Sequence, residues 1–434
     1  VGLRALKLNT TGASNVALGT VSLGANTTAS NNTAVGYVSL GANTTGAQNT
    51  STGAESLEAN TTGAGNTAHG YAALEANTTA ANNTAVGSYA LLRNTTGADN
   101  TAVGALALDA CTTGAANIAI GNNALGSDTK GNISVAIGRQ ALQAQNFTGA
   151  TDAHNTAVGF SSGFSSTTGT NNTFLGSQAG YYNTTASNNT AVGKSALTGN
   201  TTGADNTAVG SNALLVNTTG YSNSAVGIDA LRANTTGFRN VALGDEAGYT
   251  TTTGDFNTFL GTFSHGSAAT TDAEIVLGYY VQGVGANYMT AGNQSTKSWL
   301  SYGATSWSGS SDSRLKDNIT SSTAGLSFIN DLRPVTFDWK TRGNLPETFD
   351  AYEPDSTERF NNTDKVQHGF IAQEIKAAID AHPEIASGHG MWQELSDGTQ
   401  GIAQGQLVPM LTKAIQELSA QLDAALARIT TLEG

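Results

Sequence analysis

Residues 26–42 read NTTASNNTAVGYVSLGA, and this 17-residue pattern recurs with edits through most of a 434-residue chain. Its most faithful part is N-T-A-V-G. With the Asn or its substitute as anchor, copies stand at 15, 32, 49, 66, 83, 100, 117 and 134, then at 155, 172, 189, 206, 223, 240, 257 and 274. Every step is 17 residues except one of 21. Sixteen copies in one register specify a solenoid, each repeat being one coil stacked on the last.

Alternation along a strand puts Thr33 and Val35 on one face and Asn32, Ala34 and Gly36 on the other. The Val35 column runs from Leu18 to Leu277 and is aliphatic in all coils but two, those of Thr52 and His69. It is read as the core. A second apolar column, Leu23, Leu40, Leu57 and onward to Leu231, lies four residues past each glycine and is expected to face it. Gly19, Gly36 and their equivalents through Gly278 predict a turn with positive φ, and N-T-T-G supplies the second corner. Seventeen residues at roughly 3.3 Å each close a contour of about 56 Å, room for two short strands and two turns around a core about 10 Å thick. So thin a coil buries little, and association with other chains is expected to complete it. On this reading His69 and Thr52 make an interior hydrogen-bonded pair rather than a metal site, one His per chain being a poor ligand set. The many N-x-T triplets are read as Asn and Thr ladders between coils, not glycosylation sites.

Composition divides the chain. All four Trp and all five Pro follow the last repeat, which sets a boundary near residue 280. The net charge of −13 is spread over both halves without a basic stripe, which argues against a nucleic-acid partner. The single cysteine, Cys111, occupies an Asn slot and is read as a harmless substitution. No signal peptide is expected and there is no run of 18 or more apolar residues, so no membrane insertion is expected, and no cofactor or metal. Val1 stands in mid-coil, from which a preceding attachment segment is expected.

Between Ser134 and Asn155 the spacing grows by four residues, through QAQNFTG, and an insertion in a solenoid emerges as a loop on one face. Aromatic residues cluster just after it. Phe147, Phe160, Tyr181 and Tyr182 are the candidate receptor-binding residues, against the blander reading of Phe164 and Tyr181 as core filler in the leucine column. Gly159–Gly163, GFSSG, fits the nucleophile-elbow pattern but lacks its strand-turn-helix context.

The repeats resemble the left-handed parallel β-roll heads of trimeric bacterial adhesins, whose S-V-A-I-G motif appears here as Ser134–Gly138. That resemblance, over roughly 9–278, implies a trimer. From Ser311 the blocks SDSRLKDNI, GLSFINDLRPVTFDWK, HGFIAQEI and LVPMLTKAIQEL resemble the intramolecular chaperone domain that ends phage tailspikes, tail fibres and endosialidases. In that family a trimeric chaperone folds the β-rich fibre before it and then cuts itself off with a Ser-Lys dyad. The resemblance implies Ser311 as nucleophile, Lys316 as base and Ser310–Ser311 as the bond broken. Serine is a weak nucleophile, and lysine serves as its base only when its surroundings favour the neutral amine. Where the family has a Tyr ahead of the last helix, this chain reads GIAQGQLVPML.

Val408, Leu411, Ile415, Leu418, Leu422, Ala425, Ile429 and Leu432 form a heptad seam. The expected architecture is mainly β: a repeat shaft over 1–278, a β-rich neck over 279–310, a small α+β chaperone over 311–405 and a coiled-coil helix over 406–434. The expected function is a homotrimeric tail fibre of a phage or phage-like injection particle. Its partners would be a host cell-surface glycan or protein and, through an N-terminal segment, the virion or particle baseplate. It would be assembled in the bacterial cytoplasm and displayed on the virion tail or particle surface, its only enzymatic act being one self-cleavage. The alternatives are a bacterial surface adhesin bearing the same chaperone and a solenoid whose Thr columns bind ice or a polymer.

Overall fold

A computed structural model of the chain describes residues 1–304, 306–347, 349, 351–361, 363, 365–383, 385, 390–395 and 398–433. The described residues fall into two compact units, Val1–Ser310 and Ser311–Gly434.

The first unit is mainly a parallel β-solenoid of sixteen turns. Each N-T-A-V-G motif gives one short strand, three residues long in all copies but the last, such as Thr33–Val35, which pairs in parallel with its equivalents one coil away: Thr33 with Val16 and Thr50, Ala34 with Ala17 and Ser51. The register advances by one repeat at each step, and across the insertion Val135 still meets Thr156.

The core is not the column the aliphatic pattern suggests. Ala34 is fully buried, as are Ala68, Ala85, Ala102 and their equivalents, whereas Val35 is half-buried and Leu18 and Leu243 are about half exposed. The inward column is therefore alanine, packed against the leucine column of Leu23, Leu40 and Leu57, all fully buried. The coil is too thin for a branched residue opposite each Leu. Where Phe replaces Ala, at 174 and 259, the leucine column carries Gly163, Gly180 and Gly248, and the ring reaches into the space their side chains would take. His69 and Thr52 consequently sit on the outside, His69 exposed and Thr52 half-buried, and do not form an interior pair.

The return leg also departs from expectation, because it forms turns rather than a second strand. Val38 and Leu40 adopt φ of 56° and 52°, and the same positions do so in coil after coil. Left-handed backbone costs a non-glycine residue roughly 1–2 kcal/mol. Inter-coil hydrogen bonds offset it, Val38 N–H to Thr20 O at 2.9 Å and Leu40 N–H to Ser56 O at 3.1 Å. The glycine after the strand does take positive φ, 143° at Gly36, and a Cβ there would lie 2.3 Å from the carbonyl oxygen of Gly53 in the next coil. Close stacking as well as turning therefore demands glycine.

Two buried asparagine ladders run along the roll. In one, Asn43 Nδ2 donates to Asn26 Oδ1 at 3.1 Å and to Gly46 O at 2.9 Å. In the other, the backbone N–H of Asn49 donates to Asn32 Oδ1 at 2.9 Å while Asn49 Nδ2 reaches Gly63 O. The Thr hydroxyls of the N-T-T corner donate to the next coil, Thr44 Oγ1 to Thr61 O at 3.0 Å. Cys111 interrupts the first ladder and leaves Asn94 Oδ1 without a hydrogen-bond partner; burial pushes its thiol up to about 12. Glu274 ends the second ladder, accepting the N–H groups of Ser267 and Gly285. Strands Ile275–Tyr279, Tyr288–Asn293 and Lys297–Ser301 follow, the last pair antiparallel.

The second unit packs helix α1 (Leu326–Asn330), helix α2 (Ala372–Ala381) and the foot of helix α3 (Leu407–Glu433) around Phe328, Ile375, Ile379, Met391 and Leu407, flanked by two small antiparallel ribbons. No described helix is long and apolar enough to cross a membrane.

Candidate functional site

The segment before α1 is extended, broken by one turn of 3₁₀ helix at Ser313–Leu315. Asp312 caps that turn, its carboxylate accepting the N–H of Arg314 at 2.9 Å and pairing with the Arg314 guanidinium at 2.6 Å. The guanidinium holds the Asp312 carboxyl below its ordinary value, assisted by the same backbone N–H. With the turn so closed, the residues flanking it meet: Lys316 Nζ donates to Ser311 Oγ at 2.7 Å. The pair named from sequence is thus brought within proton-transfer distance. Ser310, on the other side of the bond in question, is exposed.

All residues from 311 to 323 are exposed on the single chain, including Leu315 at 72% and Ile319 at 67%. Immediately after them, Gly325 lets Glu417 of α3 approach the start of α1. Glu417 Oε2 accepts the N–H of Leu326 at 2.8 Å, and a Cβ on Gly325 would lie 2.4 Å from that oxygen. Helix α1 has no side-chain cap of its own, so a residue 91 positions away caps it. Sequence reasoning missed Glu417; the missing Ser, Thr, Asp or Asn ahead of Leu326 was the available signal. Asp331 and His382 add a second long-range link, Oδ2 to Nε2 at 2.8 Å.

Helix α3 uses only its first turns for packing. Leu407 and Ala414 are buried, while Val408, Leu411, Ile415, Leu418, Leu422, Ile429 and Leu432 are exposed, as is Ala425. An isolated helix is marginal in water, and an apolar seam along one leaves it without its main stabilisation.

The aromatic candidates separate. Phe147 is buried within the solenoid, and Gln145 beside it is fully buried, its Nε2 bonded to Asp128 and Ser134. Around it, Asn146 and Thr148–Ala150 are exposed. Phe147 is therefore not displayed to a receptor, because its ring fills the space the longer coil opens. Phe160 is exposed, with the guanidinium of Arg139 5.9 Å from its centroid. Tyr181 stacks on Phe164 at 4.9 Å and meets Tyr182 edge-on. Phe164 and Tyr181 are half-buried on the outside, not core filler. A second three-ring cluster, Tyr221, Phe238 and Phe256, with Arg239 over the last two rings, was not singled out from sequence. Tyr221 and Phe238 stand one 17-residue repeat apart, with Phe256 one position past the next equivalent, and that near-periodicity was the legible signal.

No group of three or more His, Cys, Asp or Glu among the described residues is placed to hold a metal ion. No curated protein and no solved structure matches the chain. Residues 311–382 match the peptidase S74 family, described as the chaperone of endosialidase. The pair at 2.7 Å lies at the head of that segment, and the chain carries a chaperone-of-endosialidase domain behind its β-solenoid.

Proposed function

We propose that the chain is a homotrimeric fibre, the tail fibre of a phage or phage-like injection particle, whose solenoid binds a host-surface receptor and whose C-terminal domain folds the trimer and then detaches. The observation that carries this reading is the Lys316–Ser311 hydrogen bond at the first residues of the matched chaperone segment. In the reacting form the amine is neutral and takes the hydroxyl proton. Ser311 Oγ then bonds to the carbonyl carbon of Ser310, the C–N bond breaks, and the departing nitrogen takes the proton from Lys316. Water hydrolyses the resulting ester, leaving a carboxylate on Ser310 and a free amine and hydroxyl on Ser311.

Two exposed stripes support the trimer. Along the solenoid the outward Val35 column offers an aliphatic residue in nearly every coil, and along α3 the heptad seam is bare. Apolar surface repeated at this regularity favours association between identical chains. The exposed Phe160, Tyr182, Tyr221 and Phe256 support a receptor surface on the later coils.

A denaturing gel with light scattering tests the reading. Wild type is expected as a trimer in two bands cut at Ser310–Ser311, and Ser311→Ala and Lys316→Ala as uncut trimers. Chains deleted of 311–434 are expected to be insoluble or monomeric. Wild type that stays whole and behaves as Ser311→Ala would reduce the domain to a folding clamp.

A further inference from the structure

We infer that Leu315 and Ile319 of one chain seat in an apolar groove at the foot of α3 of a second copy, and that this docking positions the Ser311–Lys316 pair for cleavage. The inference rests on the trimeric, self-cleaving reading above. Among the described residues of the second unit, Leu315 and Ile319 are the most exposed large apolar side chains outside α3. Two aliphatic residues left in water on a segment that bears a reactive pair need a partner surface.

The groove is lined by Ile329, Leu332, Pro334, Phe370, Leu407 and Val408, together with Leu411 and Gln404. Its volume is about 300 Å³. A void of roughly 150 Å³ accepts a benzene-sized group, so there is room for two four-carbon side chains. Val408 and Leu411 are also the first two positions of the exposed α3 seam. When seams pair, the neighbouring chain must therefore arrive beside the groove, which is why a second copy is the occupant rather than an unrelated protein.

The chemistry follows from adjacency. Lys316 directly follows Leu315, so seating Leu315 on a partner withdraws water from the lysine amine and favours its neutral, proton-accepting form. Exposed on a single chain, the pair lacks that environment. Leu315 and Ile319 act as positioning residues, and cleavage waits for assembly.

The test uses full-length Ser311→Ala protein, in which the segment stays attached, and follows trypsin cutting at Arg314 and Lys316. In the trimer these sites are expected to be cut at least tenfold more slowly than in the Leu315→Ser/Ile319→Ser variant or in Gln404→Trp, which fills the groove, both still trimeric by light scattering. With Ser311 restored, the same two variants are expected to lose at least tenfold in cleavage rate at Ser310–Ser311. Equal tryptic rates in parent and variants would overturn the inference. So would protection that survives in a monomeric Leu418→Glu/Leu422→Glu chain, which would place the occupant on the same chain. Wild type that never cuts itself while the tryptic pattern holds sinks the self-cleaving reading and leaves the docking standing.

Discussion

The ring of Phe174 occupies the place that a leucine side chain takes in other coils: a Cβ on Gly180 would lie 2.4 Å from Cε1 of that ring. Gly180 has φ of 58° and Leu197, its equivalent one coil on, has 54°, so the backbone at 180 already suits leucine. Phe174→Ala is expected to cost about 3–5 kcal/mol in local opening free energy, and Gly180→Leu alone to destabilise by overpacking. Together they should recover most of the loss. Native-state hydrogen exchange over residues 170–200 reads the coupling; simple additivity of the two effects would show that the sites do not share one space.

The same pair of residues shows how far the fold is legible in the amino-acid sequence. Period and register are legible because N-T-A-V-G repeats in phase. Which face of T-A-V points inward is not, because alternation only separates Thr33 and Val35 from Ala34, and hydrophobicity favours the wrong side. The cue is the exchange of size between columns: Phe174 beside Gly163 and Gly180, Phe259 beside Gly248. The return leg is illegible because leucine at φ near 50° has no propensity signature. At the candidate site the residue types and spacing are readable with the family in mind. The Asp312-capped turn that joins them and the Glu417 contact depend on geometry and on distant residues.

Asp128 stands in an asparagine slot with both oxygens engaged by donors, Oδ1 by the N–H of Gly131 at 2.9 Å and Oδ2 by Gln145 Nε2 at 2.6 Å. Burial pushes its carboxyl up, and these donors pull it back. An amide would turn an NH₂ toward one donor or the other. Asp128→Asn, the apparent return to consensus, is therefore expected to destabilise this coil by about 1–3 kcal/mol. A raised melting temperature would contradict it.

The Glu417 carboxyl is held below its ordinary value, first by the N–H of Leu326 and then by Lys413. A depressed folded-state value contributes stability that is present above the unfolded carboxylate range and lost as pH falls through the folded value. Exchange protection at the start of α1 should accordingly fall on acidification, and Glu417→Ala should show the low-pH behaviour at neutral pH. Protection that is flat with pH in wild type would refute this.

On the proposed trimeric reading, the α3 seam is expected to be needed for assembly rather than for the assembled state. Leu418→Glu/Leu422→Glu is expected to abolish trimers when introduced before folding, by sedimentation velocity. Removal of the whole domain by a protease after assembly should leave the solenoid trimeric, since by then the coils are stacked and paired. Dissociation of a pre-formed fibre on that removal would contradict it.

The ladders of the solenoid run along its length, each coil bonded to the next through Asn26, Asn43, Asn60 and their successors. Tension applied along the roll therefore loads successive coil interfaces in series, like links of a chain, and the weakest link sets the breaking force. Two links lack a bond, the junction of Asn94 with Cys111 and that of Asn234 with Thr251, where Asn94 Oδ1 and Asn234 Oδ1 are left unpaired. A shaft pulled in an optical trap should first part at one of these two junctions, which act as the molecule's mechanical fuses.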